Sequence, residues 1–267
     1  KLSRRGSAAR EKLDIPVKKL TGLLPVSLDD PAWETTESSI VSFSPLWQKT
    51  PEHSYGSVRA LYNEMEVTIL LEWSASGPST SFTRHQDFPD ACALQFPVYE
   101  TSFSELLRAK PRKIGSLIPS FVMGDKGAPV NIWYWRSEQT GTVSRQAMDD
   151  YLLDDGDSSS SSFHTGKAVG NPFSLSPGMS AMDMIAEGLG TLTPVPQDLQ
   201  KVRAVSAWKG GKWRVSFTRP LNPEFAGGAR FAPGEKVPIS FAVWSGSKGE
   251  RDGHKSVAGW HFLVLEK

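Results

Sequence analysis

Short apolar runs that alternate with polar residues, each closed by glycine, proline, asparagine or aspartate, recur along this chain of 267 residues and constrain its fold more than any other feature. The most developed run extends from Val237 to Trp244, where Val237, Ile239, Phe241 and Val243 fall on one face. That is the pattern of a half-buried strand. Residues 245–257 then form a loop with Gly246, Gly249 and Gly253 among charged side chains, and Lys255 sits where the loop rejoins a strand. An apolar run from Trp260 to Leu265 follows. A strand that delivers such a loop and re-enters apolar sequence holds the loop out for a purpose, although a charged hairpin tip has the same pattern.

Other runs repeat the motif. Val58, Ala60 and Tyr62, a short turn, and then Val67, Ile69, Leu71 and Trp73 predict a hairpin. Asp87 to Pro97 reads as a proline-bounded strand in which Gln95, if buried, needs hydrogen-bond partners. Val130, Ile132 and Tyr134 alternate with Asn131, Trp133 and Trp135, so one face of that strand carries two indoles. Val205 and Ala207 lead through Gly210 and Gly211 into Trp213 to Phe217, a hairpin with a two-glycine turn. Asp29 to Trp33 predicts a turn that pins a tryptophan. Helical segments are few: Ser104–Lys110, capped by Ser102 or Ser104, Arg145–Leu153, and a turn over Ser180–Glu187. Asp154–Ser162 ends in five consecutive serines and reads as a polar insertion.

With nine tryptophans, 23 glycines and 19 prolines as punctuation, the expected fold is mainly β: an antiparallel β-sandwich with a few short helices and long loops. Two parts are expected, an N-terminal basic arm over residues 1–24 and a single domain over 25–267. In the arm Lys1, Arg4, Arg5, Arg10, Lys12, Lys18 and Lys19 outnumber Glu11 and Asp14, and periodicity is nearly lacking. The first residue is Lys1 rather than Met, as either a removed leader segment or a boundary cut within a longer sequence would leave it.

Several chemistries find no support. A formal net charge of +1 gives no reason to expect nucleic acid or a membrane surface as partner. No apolar run approaches the roughly 18 residues that span a bilayer. One cysteine, Cys92, allows neither an internal disulfide nor covalent haem attachment through Cys-x-x-Cys-His. Its neighbours Ala91, Ala93 and Leu94 mark it as a buried, inert thiol. The histidines at 53, 85, 164, 254 and 261 share no metal-ligand spacing, and nucleophile-elbow and phosphate-loop patterns are absent. The pairs Asp149/Asp150 and Asp154/Asp155 lie in hydrophilic surroundings, as solvated turns do. Residue chemistry by itself reaches an aromatic-rich β-sandwich that binds something flat.

Five segments go further: Asp90 to Pro97, Met123 to Trp135, Ala186 to Thr193, Trp208 to Arg219, and Phe241 through Lys255 to Val257. Together and in this order they resemble the haem b subunits of the dimethyl sulfoxide reductase family. These are the γ subunits of ethylbenzene dehydrogenase, dimethyl sulfide dehydrogenase, and selenate and chlorate reductases, with the related subunit of nitrite oxidoreductase. The resemblance implies a β-sandwich holding one non-covalent b-type haem, with Met123 and Lys255 as axial ligands to the iron. A thioether is a soft ligand that favours reduced iron. An amine ligates only when deprotonated, so iron and a dry pocket must both depress the usual lysine pKa of about 10.4.

The same resemblance sets Gln95, Phe96, Asn131 and Trp133 beside the cofactor, although Phe96, Trp133 and Trp135 serve equally as ordinary core. Lys248 and His85 are rival ligands, and Arg84 and Arg136 are candidate partners of the propionates. The implied role is electron transfer rather than catalysis, between the iron–sulfur subunit of a molybdenum oxidoreductase and an external carrier such as a cytochrome c. The implied partners are that iron–sulfur subunit and the molybdopterin-containing catalytic subunit, in the periplasm or an equivalent extracytoplasmic compartment. The alternative is a haem-free carbohydrate-binding module, because aromatic-lined sandwiches also stack sugars.

Overall fold

The structure, a computed structural model, describes residues 12–47, 54–80, 87–109, 117–137 and 180–267. The expected Arg145–Leu153 helix, the serine-rich insertion, His85 and Arg84 lie outside the described residues.

Alternation becomes strands where it was legible. β1 (Asp14–Lys19) and β2 (Ser39–Pro45) precede a hairpin of β3 (Ser54–Tyr62) and β4 (Glu66–Ser74). The hairpin turns on Asn63, whose carboxamide oxygen accepts the N–H groups of Met65 (2.9 Å) and Glu66 (2.8 Å). The side chain thus mimics the backbone of a turn. β5 (Ala91–Pro97) and β6 (Val130–Arg136) flank α1 (Phe103–Ala109), where the Ser102 hydroxyl caps the N–H of Glu105 at 3.2 Å. β7 (Met182–Ala186) and β8 (Thr193–Pro194) come next, then the hairpin of β9 (Arg203–Lys209) and β10 (Lys212–Pro220). That hairpin closes through Gly210 (φ 60°) and Gly211 (φ 77°), both left-handed, as a two-residue turn between twisted strands requires. β11 (Lys236–Trp244), β12 (Ser256–Val257) and β13 (His261–Leu265) complete the chain.

The strands run β8-β7-β6-β5-β11-β12-β2-β3-β4-β10-β9 as one ribbon that doubles over on itself. Its two halves enclose a core in which Cys92, Leu94, Phe96, Trp133 and Phe241 meet Val58, Ile69, Val215 and Phe217. The fold is the expected β-sandwich. Cys92 is buried there, and desolvation pushes its thiol pKa well up.

Three expectations change. The basic arm does not extend to residue 24, because Asp14–Lys19 is a strand lying parallel between β13 (Ile15 opposite Leu263) and β3 (Val17 opposite Ala60). Ile15 and Val17 are fully buried, yet two apolar positions among lysines are too short a period to read. Ser180–Glu187 contains not a helical turn but β7, paired with both β6 and β8. The helix-favouring Met182, Met184 and Ala186 follow the sheet because ladder pairing overrides intrinsic propensity. β11 is buried along nearly its whole length rather than half-buried, since one face packs in the core and the other lies beneath loops.

A polar pin crosses the core. Arg219 of β10 is almost wholly buried; it donates to the Asn131 carboxamide oxygen at 3.0 Å and lies 3.6 Å from the Asp183 carboxylate. Asn131 also accepts the Trp133 indole N–H (3.1 Å) and the Ala229 N–H (3.1 Å), and its own amide donates to Asp183. Arg219 stacks over the Trp133 ring, 4.8 Å from its centroid. Burial lowers the Arg219 pKa to about 10 and raises that of Asp183, each opposed by the other's charge. Such a pair is tolerated because Asn131 bonds to both members and the Ala229 carbonyl accepts from Arg219.

Candidate functional site

The other face of the same strands builds a cavity of about 620 Å³. Its floor is Ala91, Ala93 and Gln95 from β5, Ile132, Tyr134 and Arg136 from β6, Met184 from β7, and Ser240, Ala242 and Trp244 from β11. Because side chains alternate, these are the neighbours of the residues that fill the core. Alanine and serine at the centre leave the floor low, while Tyr134 and Trp244, edge to face at 5.6 Å, wall one part of it. The loops at residues 120–128, 187–192 and 245–255, the segment before β5 and the end of β2 raise the remaining walls. Trp47 and Leu189 are both more than 60% exposed and contribute apolar side chains to the rim.

The first loop, residues 120–128, carries Met123 into the cavity lining. Met123 adopts φ 65°, a left-handed conformation that costs a non-glycine residue about 1–2 kcal/mol. Its surroundings hold it there: its N–H donates to the Gln95 carboxamide oxygen (3.3 Å) and its carbonyl accepts from Gly188 (2.8 Å). Gln95 also donates to the Ser120 carbonyl at 3.4 Å, so the partners required of this glutamine are found in the loop. The Asp125 carboxylate accepts the N–H of Ser120 (2.7 Å), and Gly124 follows at φ 77°, where an added Cβ would lie 2.9 Å from the Ala128 carbonyl oxygen.

The second loop, residues 245–255, carries Lys255. Gly246 begins it so close to Phe88 that a Cβ would fall 1.8 Å from that residue's carbonyl oxygen. The Gly246 N–H donates to Asp90 (2.8 Å), the Ser245 N–H to Glu250 (2.7 Å), and the Trp244 indole to the Asp252 carbonyl (3.1 Å). Burial raises the Glu250 pKa. The Lys255 carbonyl accepts from Leu46 (2.8 Å), which ties the loop to the end of β2. The Lys255 amine stands 4.9 Å from the Trp244 ring centroid. Desolvation lowers its pKa to about 8, partly opposed by Asp252.

Of the residues singled out by sequence, Met123, Lys255 and Gln95 line one cavity, joined by Arg136. Phe96, Asn131 and Trp133 do not: all three are fully buried on the core face, where Phe96 and Trp133 pack at 4.7 Å. Each is one position out of phase with the ligand-facing set. Trp135 is likewise core, packed against Trp73 and Trp213. Lys248 is not among the cavity-lining residues. Ala93, Tyr134, Trp244 and Arg251 also line the cavity, and nothing in the motifs singles them out in the sequence. The first three share a face with residues already identified, so the period-2 rule applied outward from Gln95 would have found Ala93.

This donor set fits a flat apolar cofactor that brings an iron atom. The lining is predominantly apolar, and Met123 and Lys255, a thioether and an amine, reach it from loops at its border, while Met184, Glu250 and Asp252 also line it. At pH 7 an amine of pKa about 8 is deprotonated at a cost of about 1.4 kcal/mol, against about 4.8 for one at 10.5. Arg136 and Arg251 add cations to the lining, and Arg251 also stacks over Phe88 at 4.6 Å. Among the described residues no group of three or more His, Cys, Asp or Glu side chains is placed to hold a bare metal ion. No helix among them is long and apolar enough to cross a membrane.

Comparison with known proteins extends the geometry. A protein of Haloferax mediterranei provisionally named respiratory nitrate reductase heme subunit ORF7 is 26% identical over 95% of this chain and 73% of its own length. The chlorate reductase subunit gamma of Ideonella dechloratans is 27% identical over 71% of this chain, which spans 55% of that relative. Among solved structures, a family 9 carbohydrate binding module from Caldicellulosiruptor kristjanssonii in complex with glucose aligns over 95% of this chain and 97% of its own. The TM-score is 0.43 at 8% identity, too distant to speak for sugar binding. The family model described as ethylbenzene dehydrogenase matches residues 30–256, and the chain therefore belongs to that family, the γ-subunit group to which its five motifs pointed.

Proposed function

We propose that the chain is an electron-transfer subunit that binds one non-covalent b-type haem in the cavity bordered by the Met123 and Lys255 loops, with those two side chains as axial ligands. The observation that carries this reading is that Met123 and Lys255, far apart in sequence, line a single apolar cavity. When bound, haem supplies a one-electron couple. The chain's residues do the rest: the low floor of Ala91, Ala93 and Ala242 accepts a planar ring, and Tyr134 and Trp244 exclude water from one side of it. Burial keeps Lys255 close to its neutral, ligating form. Arg136 and Arg251 are suited to carboxylates at the ring's edge. Were Met123 and Lys255 both to ligate the iron, they would leave it no open position for a substrate, which favours relay over catalysis.

The partners in this reading are an iron–sulfur subunit and a molybdopterin-containing catalytic subunit, with a soluble carrier such as a cytochrome c on the far side, in the periplasm or an equivalent extracytoplasmic compartment. The names of the relatives, a heme subunit and a gamma subunit, support it. Sugar binding is disfavoured, because the lining is predominantly apolar and the family match is to ethylbenzene dehydrogenase and a gamma subunit rather than to a sugar-binding module.

The test is reconstitution of the purified protein with haem, followed by spectra of the oxidised and reduced forms. One equivalent of low-spin haem that acid–acetone removes is expected. Met123→Ala and Lys255→Ala are each expected to shift the spectrum towards high spin and to change the potential. A protein that takes up no haem, or variants with unchanged spectra, would refute the assignment.

A further inference from the structure

The Met123 and Lys255 loops are both anchored to one strand, by two side chains at its opposite ends. Asp90 immediately precedes β5 and is 1% exposed. Its carboxylate accepts three N–H groups, each at 2.8 Å, from Ser79, the Trp213 indole and Gly246, where the Lys255 loop begins. Gln95 lies near the other end of β5 and grips the Met123 loop through the Met123 N–H and the Ser120 carbonyl. Every residue of β5 is buried, and the strand pairs with β6 on one side and β11 on the other. Five residues of extended chain are about 16 Å of rigid backbone.

We infer that Asp90 and Gln95 are positioning residues, and that β5 between them is the spacer that fixes the separation of the two ligand-bearing loops; the word ligand here rests on the haem reading above. Neither side chain needs to touch iron for this. The carboxylate holds the stem of one loop, and the carboxamide selects the left-handed Met123 conformation of the other, which its own steric cost would otherwise disfavour. Of the three charge-assisted bonds at Asp90 one reaches the Lys255 loop and two tie the carboxylate to Ser79 and Trp213, while both of the longer neutral bonds at Gln95 reach the Met123 loop.

Amide hydrogen exchange on the haem-free protein tests this without reliance on the cofactor. The reporters are backbone bonds that neither side chain makes: Gly124 to Ser120 and Gly188 to Met123 for one loop, Gly249 to Gly246 and Glu250 to Ser245 for the other. In Gln95→Leu, exchange at Gly124 and Gly188 is expected to rise about tenfold while Gly249 and Glu250 keep wild-type rates. Asp90→Asn should give the converse. No change at either pair, or an equal rise at both in a protein that still melts cooperatively, would overturn the inference. Should Asp90→Asn fail to fold, Gln95→Leu decides alone. In reconstituted Gln95→Leu a fraction of the haem is expected to turn high-spin, a signature that general destabilisation does not produce. If the wild-type protein binds no haem, the reading of the previous subsection fails, while the exchange rates still decide the positioning roles.

Discussion

The two faces of β5, β6 and β11 are built from adjacent residues and do opposite work. Towards the core they present Cys92, Leu94, Phe96, Trp133, Trp135, Phe241 and Val243, volumes that interdigitate with the opposite half of the sandwich. Away from it they present Ala91, Ala93, Ile132, Tyr134, Ser240 and Ala242, with loops above instead of a second sheet. Close packing makes the first face intolerant of lost volume. The second is underfilled by design, so its free energy is to be realised when a ligand occupies it.

Substitutions at neighbouring positions can break or sharpen this contrast. Trp133→Ala is expected to have the largest effect, about 3–5 kcal/mol in urea unfolding, because it opens a core cavity and removes one of the three donors to the Asn131 oxygen. A loss below about 1 kcal/mol would mean that the core face is as yielding as the other.

Lys255→Met comes next, and its sign is opposite. The folded-state pKa of about 8 lies below the ordinary 10.5, so folding without the cofactor must expel a proton or bury a charge. That penalty is fully present below about pH 8 and fades between about 8 and 10.5 as the unfolded chain also loses its proton. The haem-free variant should therefore be more stable than wild type by about 2–3 kcal/mol near pH 7, the gap closing above about pH 10. Equal stability at both pH values would show that the amine is solvated and the pocket wet.

Gly246→Ala should cost about 2 kcal/mol, since its Cβ would collide with the backbone of Phe88, and the displaced loop should also weaken haem uptake. Thermal melting and haem titration read the two effects. Ala93→Phe should have the smallest effect on stability, within about 1 kcal/mol, because the added ring enters a space already open. It should nevertheless abolish haem uptake, and retained uptake would move the binding site off this floor.

Much of the fold was legible because its signals are local. The Gly210–Gly211 turn, the Asn63 hairpin, and the tryptophan pinned behind Asp30 and Pro31 (Trp33, almost fully buried) each depend on a few neighbouring residues. β1 was misread as arm because its two buried residues gain their environment from β13 and β3, at the far end and the middle of the chain. β7 was misread because its neighbours β6 and β8, not its composition, dictate its conformation. Of the residues singled out through their motifs, Met123, Lys255 and Gln95 line one cavity, whereas Phe96, Asn131 and Trp133, placed beside the cofactor by the resemblance, lie on the core face.

That last error marks the boundary. The sequence by itself determined the alternation, and hence that Trp133 and Tyr134 must point to opposite sides of one strand, because the period of an extended backbone is two. It also determined the turns, the apolar content and the order of the motifs. It could not decide which side would meet the other half of the sandwich and which would meet the loops, because the alternation is symmetric under exchange of the faces. The tertiary structure broke that symmetry. The tilted ring contact with Phe96 and the Arg219–Asp183 pin draw Trp133 and Asn131 inwards, and that leaves the small side chains beneath Met123 and Lys255.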